Sequence, residues 1–147
     1  MSYKGKYKPR NPKKYVGDAT QITYRSGLEL KVMSYLDKHK DVISWGSETV
    51  VIPYRSPIDN KYHRYFMDFI VQFRNAGGEV VTTLIEVKPL KQTAPPKKPS
   101  RVTRRYLTEV QTWGVNSAKW TATQEYCAKR GWKFLIMTEK QINGLEY

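Results

Sequence analysis

Apolar residues near the start of the chain repeat at helical spacing. Between residues 23 and 39 they fall three or four positions apart, which predicts an amphipathic helix with one buried face. Ser26 and Glu29 have the form of a capping box, in which the glutamate reaches back to the backbone. Glu29 also lies at the edge of the apolar stripe, so the pattern leaves it two roles, helix cap or inward-facing carboxylate. The stripe consists of Leu28, Val32, Tyr35 and Leu36.

The middle of the chain contains short apolar runs that end in turn-forming residues, a pattern typical of strands. The predicted strands are residues 47–54, 64–73 and 79–88. The loop between the last two, Asn-Ala-Gly-Gly at residues 75–78, has hairpin composition, so these strands should be antiparallel neighbours. Pairing centred on this loop places Asp68 opposite residue 85, one position from Glu86.

The last third of the chain predicts helices and one more strand. Apolar and aromatic residues from about Val102 onward predict one broken helix or two consecutive helices, interrupted at Gly114 and ending at Gly131. Residues 133–137 are typical of a short strand, and residues 138–141 open a final helical turn. The order helix, three strands, helix, strand, helix in 147 residues predicts a mixed α/β fold in one domain.

Two acidic residues interrupt the apolar runs of the second and third predicted strands. They are Asp68, between Tyr65 and Val71, and Glu86, between Leu84 and Val87. Removing a carboxylate from water is unfavourable unless a cation, a metal or several donors compensate it, so the two acids predict a shared cation site. Because side chains of a strand alternate in direction, Glu86 and Lys88 should share a face.

These residue types suit phosphodiester hydrolysis, which requires neutralised phosphate charge, a positioned water and a stabilised leaving oxygen. A divalent ion held by Asp68 and Glu86 can supply these needs. A lysine two residues beyond the second acid can act as a general base or as an electrostatic stabiliser, and both roles stay open for Lys88.

The chain is strongly basic. It has 26 lysine and arginine residues against 13 aspartate and glutamate residues, and its formal net charge of +13 favours a polyanionic partner, above all nucleic acid. Basic residues cluster in residues 1–20, predicted to be an extended N-terminal arm, and in a loop at residues 88–105 within the domain of residues 21–147. Charge that serves solubility alone is the competing interpretation.

We expect DNA phosphates to contact the basic loop and the helix that follows it. Lys119 on the later helix is a further expected contact, whereas Trp113 and Trp120 beside it are predicted to pack in the core. The predicted DNA contacts are Lys91, Lys97, Lys98, Arg101, Arg104, Arg105 and Lys119.

Cysteine and apolar content exclude other classes of protein. Cys127 is the single cysteine, which excludes an internal disulfide and a multi-cysteine zinc site. No apolar run approaches the roughly 18 residues of a membrane-spanning helix, so we expect a soluble protein without a membrane partner.

The acids and the lysine form a pattern that resembles the PD-(D/E)XK nuclease superfamily. Its first half here is Met67-Asp68 and its second half is Glu86-Val87-Lys88. The superfamily core is a helix, an antiparallel three-stranded run, a helix and a further strand, the order predicted above. Met67 stands where the superfamily commonly has proline.

The chain is similar over nearly its whole length to the head-completion nucleases of T-even-like bacteriophages, a family within this superfamily. The resemblance implies a restriction-endonuclease-like fold and a metal-dependent DNA nuclease with little sequence specificity. It also implies a role in head completion, in which packaged DNA is processed before head and tail join. The similar stretches are Ile22-Thr23-Tyr24-Arg25-Ser26, Trp45-Gly46-Ser47-Glu48-Thr49, Arg64-Tyr65-Phe66-Met67-Asp68, Glu86-Val87-Lys88-Pro89, Thr112-Trp113-Gly114-Val115-Asn116 and Lys129-Arg130-Gly131.

The same resemblance implies what the protein binds and where it acts. Its cofactor would be Mg²⁺, with Mn²⁺ able to substitute. Its partners would be double-stranded DNA, contacted through phosphates, and phage head, portal or neck proteins, in the virion head and in the host cytoplasm during assembly. The alternative is a non-catalytic head or portal completion protein that binds DNA and keeps the nuclease fold as a scaffold.

Residue roles follow from the resemblance as well. The catalytic carboxylates and lysine of the family correspond to Asp68, Glu86 and Lys88, with both carboxylates as metal ligands. In the related transposase endonuclease subunits an acid on the first helix joins the metal site, which implies a catalytic and metal-binding role for Glu29. Endonuclease or exonuclease action, the number of ions, the oligomeric state and the docking partner stay open.

Overall fold

A four-stranded sheet lies at the centre of the structure, a computed structural model that describes residues 4–145. The strands are β1 (Gly5–Lys6), β2 (Thr23–Tyr24), β3 (Val42–Ser47), β4 (Val51–Arg55), β5 (Tyr62–Phe66), β6 (Phe69–Arg74), β7 (Val80–Val87) and β8 (Lys133–Met137). The helices are α1 (Gly27–Lys38), α2 (Arg104–Arg130) and α3 (Glu139–Asn143), with single 3₁₀ turns at Pro12–Lys14 and Leu90–Thr93.

The central sheet has the strand order β3-β6-β7-β8, in which β3, β6 and β7 are antiparallel neighbours and β8 runs parallel to β7. The parallel pair needs a crossover, and α2 provides it. Two smaller two-stranded sheets, β1 with β2 and β4 with β5, lie outside the central one. The mixed α/β fold predicted from the sequence is therefore confirmed.

The central sheet separates two apolar cores. On one face, Phe69, Val71 and Ile85 pack with α1 and α3. On the other, Leu84 packs with residues of α2 and of the β4–β5 hairpin. Because strand side chains alternate, Glu86 shares the face of Leu84, and the face covered by α2 is the one that carries acidic side chains. No helix within the described residues has the length and apolar content needed to cross a bilayer.

Several predicted elements agree with the structure. The first helix begins at Gly27, and Ser26 caps it through its Oγ, which accepts a hydrogen bond from the Glu29 N–H at 3.1 Å. The strand predicted at residues 133–137 forms at those residues, and α2 ends at Gly131, whose φ of 68° is the left-handed value that glycine adopts freely.

Two predicted strands are each divided in the structure. The prediction at residues 47–54 was wrong, because β3 ends at Ser47 and the chain turns through Glu48, with φ 56°, before β4 starts in another sheet. The strand predicted at residues 64–73 breaks at Met67 and Asp68, where the chain leaves the β4–β5 hairpin and enters the central sheet. Local apolar pattern does not specify which sheet a strand joins, so both breaks are tertiary in origin.

The interruption predicted at Gly114 was also wrong, because α2 is one helix of 27 residues. A glycine inside a helix costs only about 1 kcal/mol relative to alanine, and packing of the helix against the rest of the fold can outweigh this cost. A Cβ at Gly114 would stand 3.7 Å from Pro57, an ordinary contact distance, so this position does not require glycine for space.

The described part of the predicted N-terminal arm packs against the domain. The rings of Tyr7 and Tyr15 contact the buried Trp45, with ring centroids 6.1 and 4.7 Å away. Asp37, at the end of α1, is fully buried and accepts hydrogen bonds at 2.6–2.9 Å from the Tyr7 hydroxyl and from the Arg10 and Asn11 N–H groups. The segment is thus part of the core around α1, and the domain boundary at residue 20 stays a prediction.

Asp37→Asn should loosen this segment. Burial acts to raise the pKa of Asp37, but the hydrogen bonds from Tyr7, Arg10 and Asn11 outweigh burial and lower the pKa. An amide cannot accept all of these bonds, so the free energy of unfolding should fall by about 2–4 kcal/mol near pH 7, measured by chemical denaturation. The difference should shrink as the pH falls below about 4, because a lowered pKa stabilises only where the carboxyl is ionised.

Asp41→Asn is the matched control, since it removes the same charge from an exposed carboxylate three residues beyond the helix. Equal stability of the two variants would contradict the structural role of Asp37.

Candidate active site

Asp68 and Glu86 lie side by side on the α2 face of the sheet. Phe69 pairs with Ile85, so the same register places Asp68 opposite Glu86. The sequence predicted residue 85 opposite Asp68, one residue away. Asp68 sits at the break between β5 and β6, where its Oδ2 accepts a hydrogen bond from the Val87 N–H at 2.7 Å. The break frees Asp68 from the ladder and lets its side chain bond to the backbone of β7.

Glu86 is held by donors from two other elements. It is only 4% exposed, and its Oε2 accepts hydrogen bonds from the Tyr65 hydroxyl on β5 and from the Trp120 Nε1–H on α2, the latter at 3.4 Å. Burial, followed by the charge of Glu86, raises the pKa of Tyr65, which keeps the phenol protonated and able to donate. Glu86 is therefore fixed in one orientation.

The two carboxylates repel one another. Burial raises the pKa of Asp68, and the hydrogen bond and charge of Glu86 raise it further. Within residues 4–145, neither carboxylate forms an ion pair with a lysine, arginine or histidine. Two acids largely removed from water without such a partner are an environment in which a divalent cation gives a large electrostatic gain.

Two lysines approach the acids on the same face. The Lys119 Nζ lies over the rings of Tyr65 and Tyr54, at 5.1 and 5.7 Å from their centroids. Burial lowers the pKa of Lys119, the charge of Lys88 lowers it further, and Glu86 and Asp68 act in the opposite direction. The sequence predicted Lys119 as a phosphate contact, and the structure brings it to the acid pair.

Lys88 continues the geometry of β7 by one residue. Its N–H donates to the Met137 carbonyl at 3.0 Å, so the chain still follows β8 and the side chain keeps the direction of Glu86. The structure therefore brings Asp68 and Glu86 together, places Lys88 directly after the strand of Glu86, and brings Lys119 close to Lys88 and to both acids.

Glu29 lies at the beginning of α1, near the acids but bonded to its own helix. Its Oε1 accepts a hydrogen bond from the Arg25 N–H at 3.3 Å, one residue before the N-cap, so it acts as a helix cap in this structure. Burial raises the pKa of Glu29, and the charges of Glu48 and Glu86 add to this effect. Its role as a third ligand stays a prediction.

The donor set suits a hard divalent cation. No group of three or more histidine, cysteine, aspartate or glutamate side chains in the described part of the chain is placed to hold a metal ion, so two carboxylates are the protein ligands that the geometry offers. Mg²⁺ is commonly bound by one or two carboxylates together with water and substrate phosphate oxygens. Asp68 and Glu86 meet this requirement.

The basic loop leads away from this site along α2. The six cations that follow Lys88 in it are exposed, and their DNA contacts stay predictions: Lys91, Lys97, Lys98, Arg101, Arg104 and Arg105. The loop is anchored where the Leu90 N–H donates to the Glu139 Oε1 at 2.7 Å. Between the loop and α2 lies a groove of about 540 Å³, lined by Lys91, Lys97 and Arg105 among others.

The chain is similar to known nucleases. Residues 39–139 match the family described as TnsA-like endonuclease N terminal. The chain belongs to the TnsA-like endonuclease family. It is also 44% identical to the head completion nuclease of Enterobacteria phage T4 over 151 aligned residues, which cover 100% of this chain and 98% of that protein.

The match confirms the resemblance seen in the sequence, including the relation to PD-(D/E)XK nucleases. The segment that matches this family contains Asp68, Glu86, Lys88 and Lys119, whereas Glu29 lies before it.

Sequence reasoning missed the donors that hold Glu86. Trp120 was predicted to pack in the core, and it does, but its indole N–H also bonds to Glu86. Tyr65 lies three residues before Asp68 in an apolar run, and nothing local distinguishes it from a packing residue. Trp113 was predicted to be a core residue, yet it is only partly buried and lines the groove.

Asp68→Asn should stabilise the protein in the presence of a chelator. Asparagine keeps an oxygen for the Val87 N–H and removes the repulsion from Glu86, so the free energy of unfolding should rise by about 2 kcal/mol at pH 8. Because the pKa of Asp68 is raised in the folded state, its contribution is present below about pH 4 and is lost as the pH rises. The advantage of the variant should therefore increase with pH, measured by denaturant unfolding across the range.

Asp41→Asn again serves as the exposed control and should show no comparable gain. A wild type that becomes more stable than Asp68→Asn as the pH rises would contradict the placement of the acid pair.

Proposed function

We propose that this protein is a magnesium-dependent deoxyribonuclease that acts in phage head completion. The observation that carries the proposal is the pairing of the partly buried Asp68 with the buried Glu86, with Lys88 and Lys119 on the same face. Acids in this position destabilise the fold, so a scaffold has no physical need for them. Membership of an endonuclease family and full-length similarity to a protein named head completion nuclease support the same conclusion.

The residues divide the work of phosphodiester hydrolysis. Asp68 and Glu86 would hold Mg²⁺, or Mn²⁺ in its place, and the ion would neutralise phosphate charge and activate a water. Tyr65 and Trp120 keep Glu86 oriented, which fixes the distance between the ligands. Lys88 binds the phosphate or positions the attacking water beside the acids.

The substrate would be double-stranded DNA, held by its phosphates. The exposed cations of the loop at residues 88–105 are close in sequence to Lys88 and continue onto α2, so they can follow a DNA backbone away from the site. Contacts to phosphate carry little sequence information, which predicts little sequence specificity. Head, portal or neck proteins are proposed as partners, with the protein in the virion head and, during assembly, in the host cytoplasm.

Cleavage of linear and circular duplex DNA tests the chemistry. Wild-type protein should cut in Mg²⁺ and not in chelator. Glu86→Ala and Lys88→Ala should each lower the rate by about 100-fold or more, because one removes a metal ligand and the other a charge at the phosphate. The comparison of linear with circular DNA also separates attack at ends from internal attack.

Matched controls are Glu79→Ala and Lys133→Ala, which remove exposed side chains before β7 and at the start of β8. Both should cut like the wild type. If the site variants also cut like the wild type, the site is misassigned; if no protein cuts, the non-catalytic DNA-binding alternative is favoured.

Head completion requires a separate test in infected cells. A phage that lacks its own head completion nuclease should produce joined, infectious particles when wild-type protein is supplied, and unjoined heads when Glu86→Ala is supplied. Electron microscopy and plaque counts measure the two outcomes. Full rescue by Glu86→Ala would assign the biological role to binding rather than to cleavage.

A further inference from the structure

The groove between the basic loop and α2 contains a polar group that the fold does not use. Asn116 lies at its floor and is only 5% exposed. No other group among residues 4–145 donates to or accepts from its side-chain amide. Its polar atoms are not among the side-chain atoms closed to solvent, so the amide is open to the groove, and a ligand that reaches the floor of the groove can form hydrogen bonds with it.

The walls of the groove give the chemical class of that ligand. Lys91 and Lys97 on the loop are exposed cations, and Trp113 presents a partly buried indole beside Asn116. One acid, Glu109, also lines the groove, but it is paired with Arg105 at 3.4 Å. Cations at the rim, an aromatic wall and an amide at the floor match the phosphate, the ring face and the polar edge of a nucleotide.

The groove is connected to the proposed site of cleavage. Trp113 packs edge to face against Trp120, with ring centroids 5.8 Å apart, and Trp120 bonds to Glu86. Asn116 and Trp120 are one helical turn apart on the unbroken α2, so the groove floor lies about 6 Å along the helix axis from the indole that holds the acid. A DNA strand at the acids can therefore continue into the groove.

The size of the groove suits an unpaired nucleotide. Its volume of about 540 Å³ is in the range of pockets that hold small ligands. In a duplex the polar edges of the bases are paired or lie inside the grooves of the DNA, whereas an unpaired base can turn outward and insert its edge. An asparagine amide offers both donor and acceptor atoms to that edge.

We propose that this groove binds one unpaired nucleotide of the DNA strand next to the scissile phosphate, so that frayed ends or unpaired positions are the preferred substrate. The proposal rests on the nuclease function, because it takes the acid pair as the cutting site. It specifies the substrate class that the site alone leaves open.

Binding in chelator tests the proposal without cleavage. The probes are a fluorescently labelled single-stranded oligonucleotide and a duplex closed by hairpin loops of non-nucleotide linker, which has no unpaired base. Asn116→Leu and Trp113→Ala should each weaken single-strand binding by about 10-fold, while affinity for the closed duplex should change less than about twofold. Gln111→Leu, an exposed position on the same helix outside the groove, should bind both probes like the wild type.

Loss of unfolding cooperativity in either groove variant would move the test to the milder changes Asn116→Ser and Trp113→Leu, which should show the same preference for loss on the single strand. Equal loss on both probes, unchanged single-strand affinity, or a wild type that binds only the closed duplex would overturn the proposal. With Mg²⁺ restored, the wild type should cut DNA with frayed ends faster than the closed duplex. If the wild type and the groove variants show the same ratio of the two rates, the nucleotide subsite is refuted and the nuclease function stands. If the wild type binds the single strand through the groove but cuts no DNA, the nuclease function is refuted and nucleotide binding by the groove stands.

Discussion

Repulsion between two carboxylates inside the fold is the constraint on which the α2 face of this protein depends. Asp68 is partly buried beside the buried Glu86, and burial together with the charge of Glu86 raises the pKa of Asp68. The surrounding structure supplies donors to both acids: the Val87 N–H to one, and the Tyr65 hydroxyl and the Trp120 indole to the other. These bonds orient the carboxylates but do not neutralise them. The arrangement sacrifices stability for a preorganised pair of oxygen ligands.

The central sheet separates the part of the molecule that provides stability from the part that provides chemistry. One face is covered by α1, α3 and the N-terminal segment, and its core is apolar and aromatic around Trp45. The other face is covered by α2, and its core gives way to acids and lysines where β7 ends and β6 begins. Alternation of side chains along β7 makes this possible, since Ile85 and Glu86 are neighbours in sequence but point to opposite faces.

Much of this could be predicted from sequence where a signal is local. The helix at Gly27–Lys38 follows from apolar spacing and a capping serine, and the acid pair follows from charges in apolar runs. The breaks at Glu48 and Met67 could not be predicted, because they depend on which sheet each strand joins. Tyr65 and Trp120 were not identified as donors to Glu86 for a related reason: a residue that only packs and a residue that also bonds to a buried acid have the same local pattern.

The position of the N-terminal segment divides the positive charge of the protein between two sides. Asp37 fastens residues 7–11 behind the sheet, so the lysines and arginines near this segment surround the apolar core of α1 and not the acid pair. The long-range attraction between the protein and DNA depends on the total charge of the protein. It acts on both faces of the molecule alike, over distances up to about one screening length. DNA that binds this side of the molecule therefore lies away from Asp68 and Glu86. The excess positive charge speeds the association of the protein with DNA. It does not determine whether the DNA meets the face that carries Asp68 and Glu86.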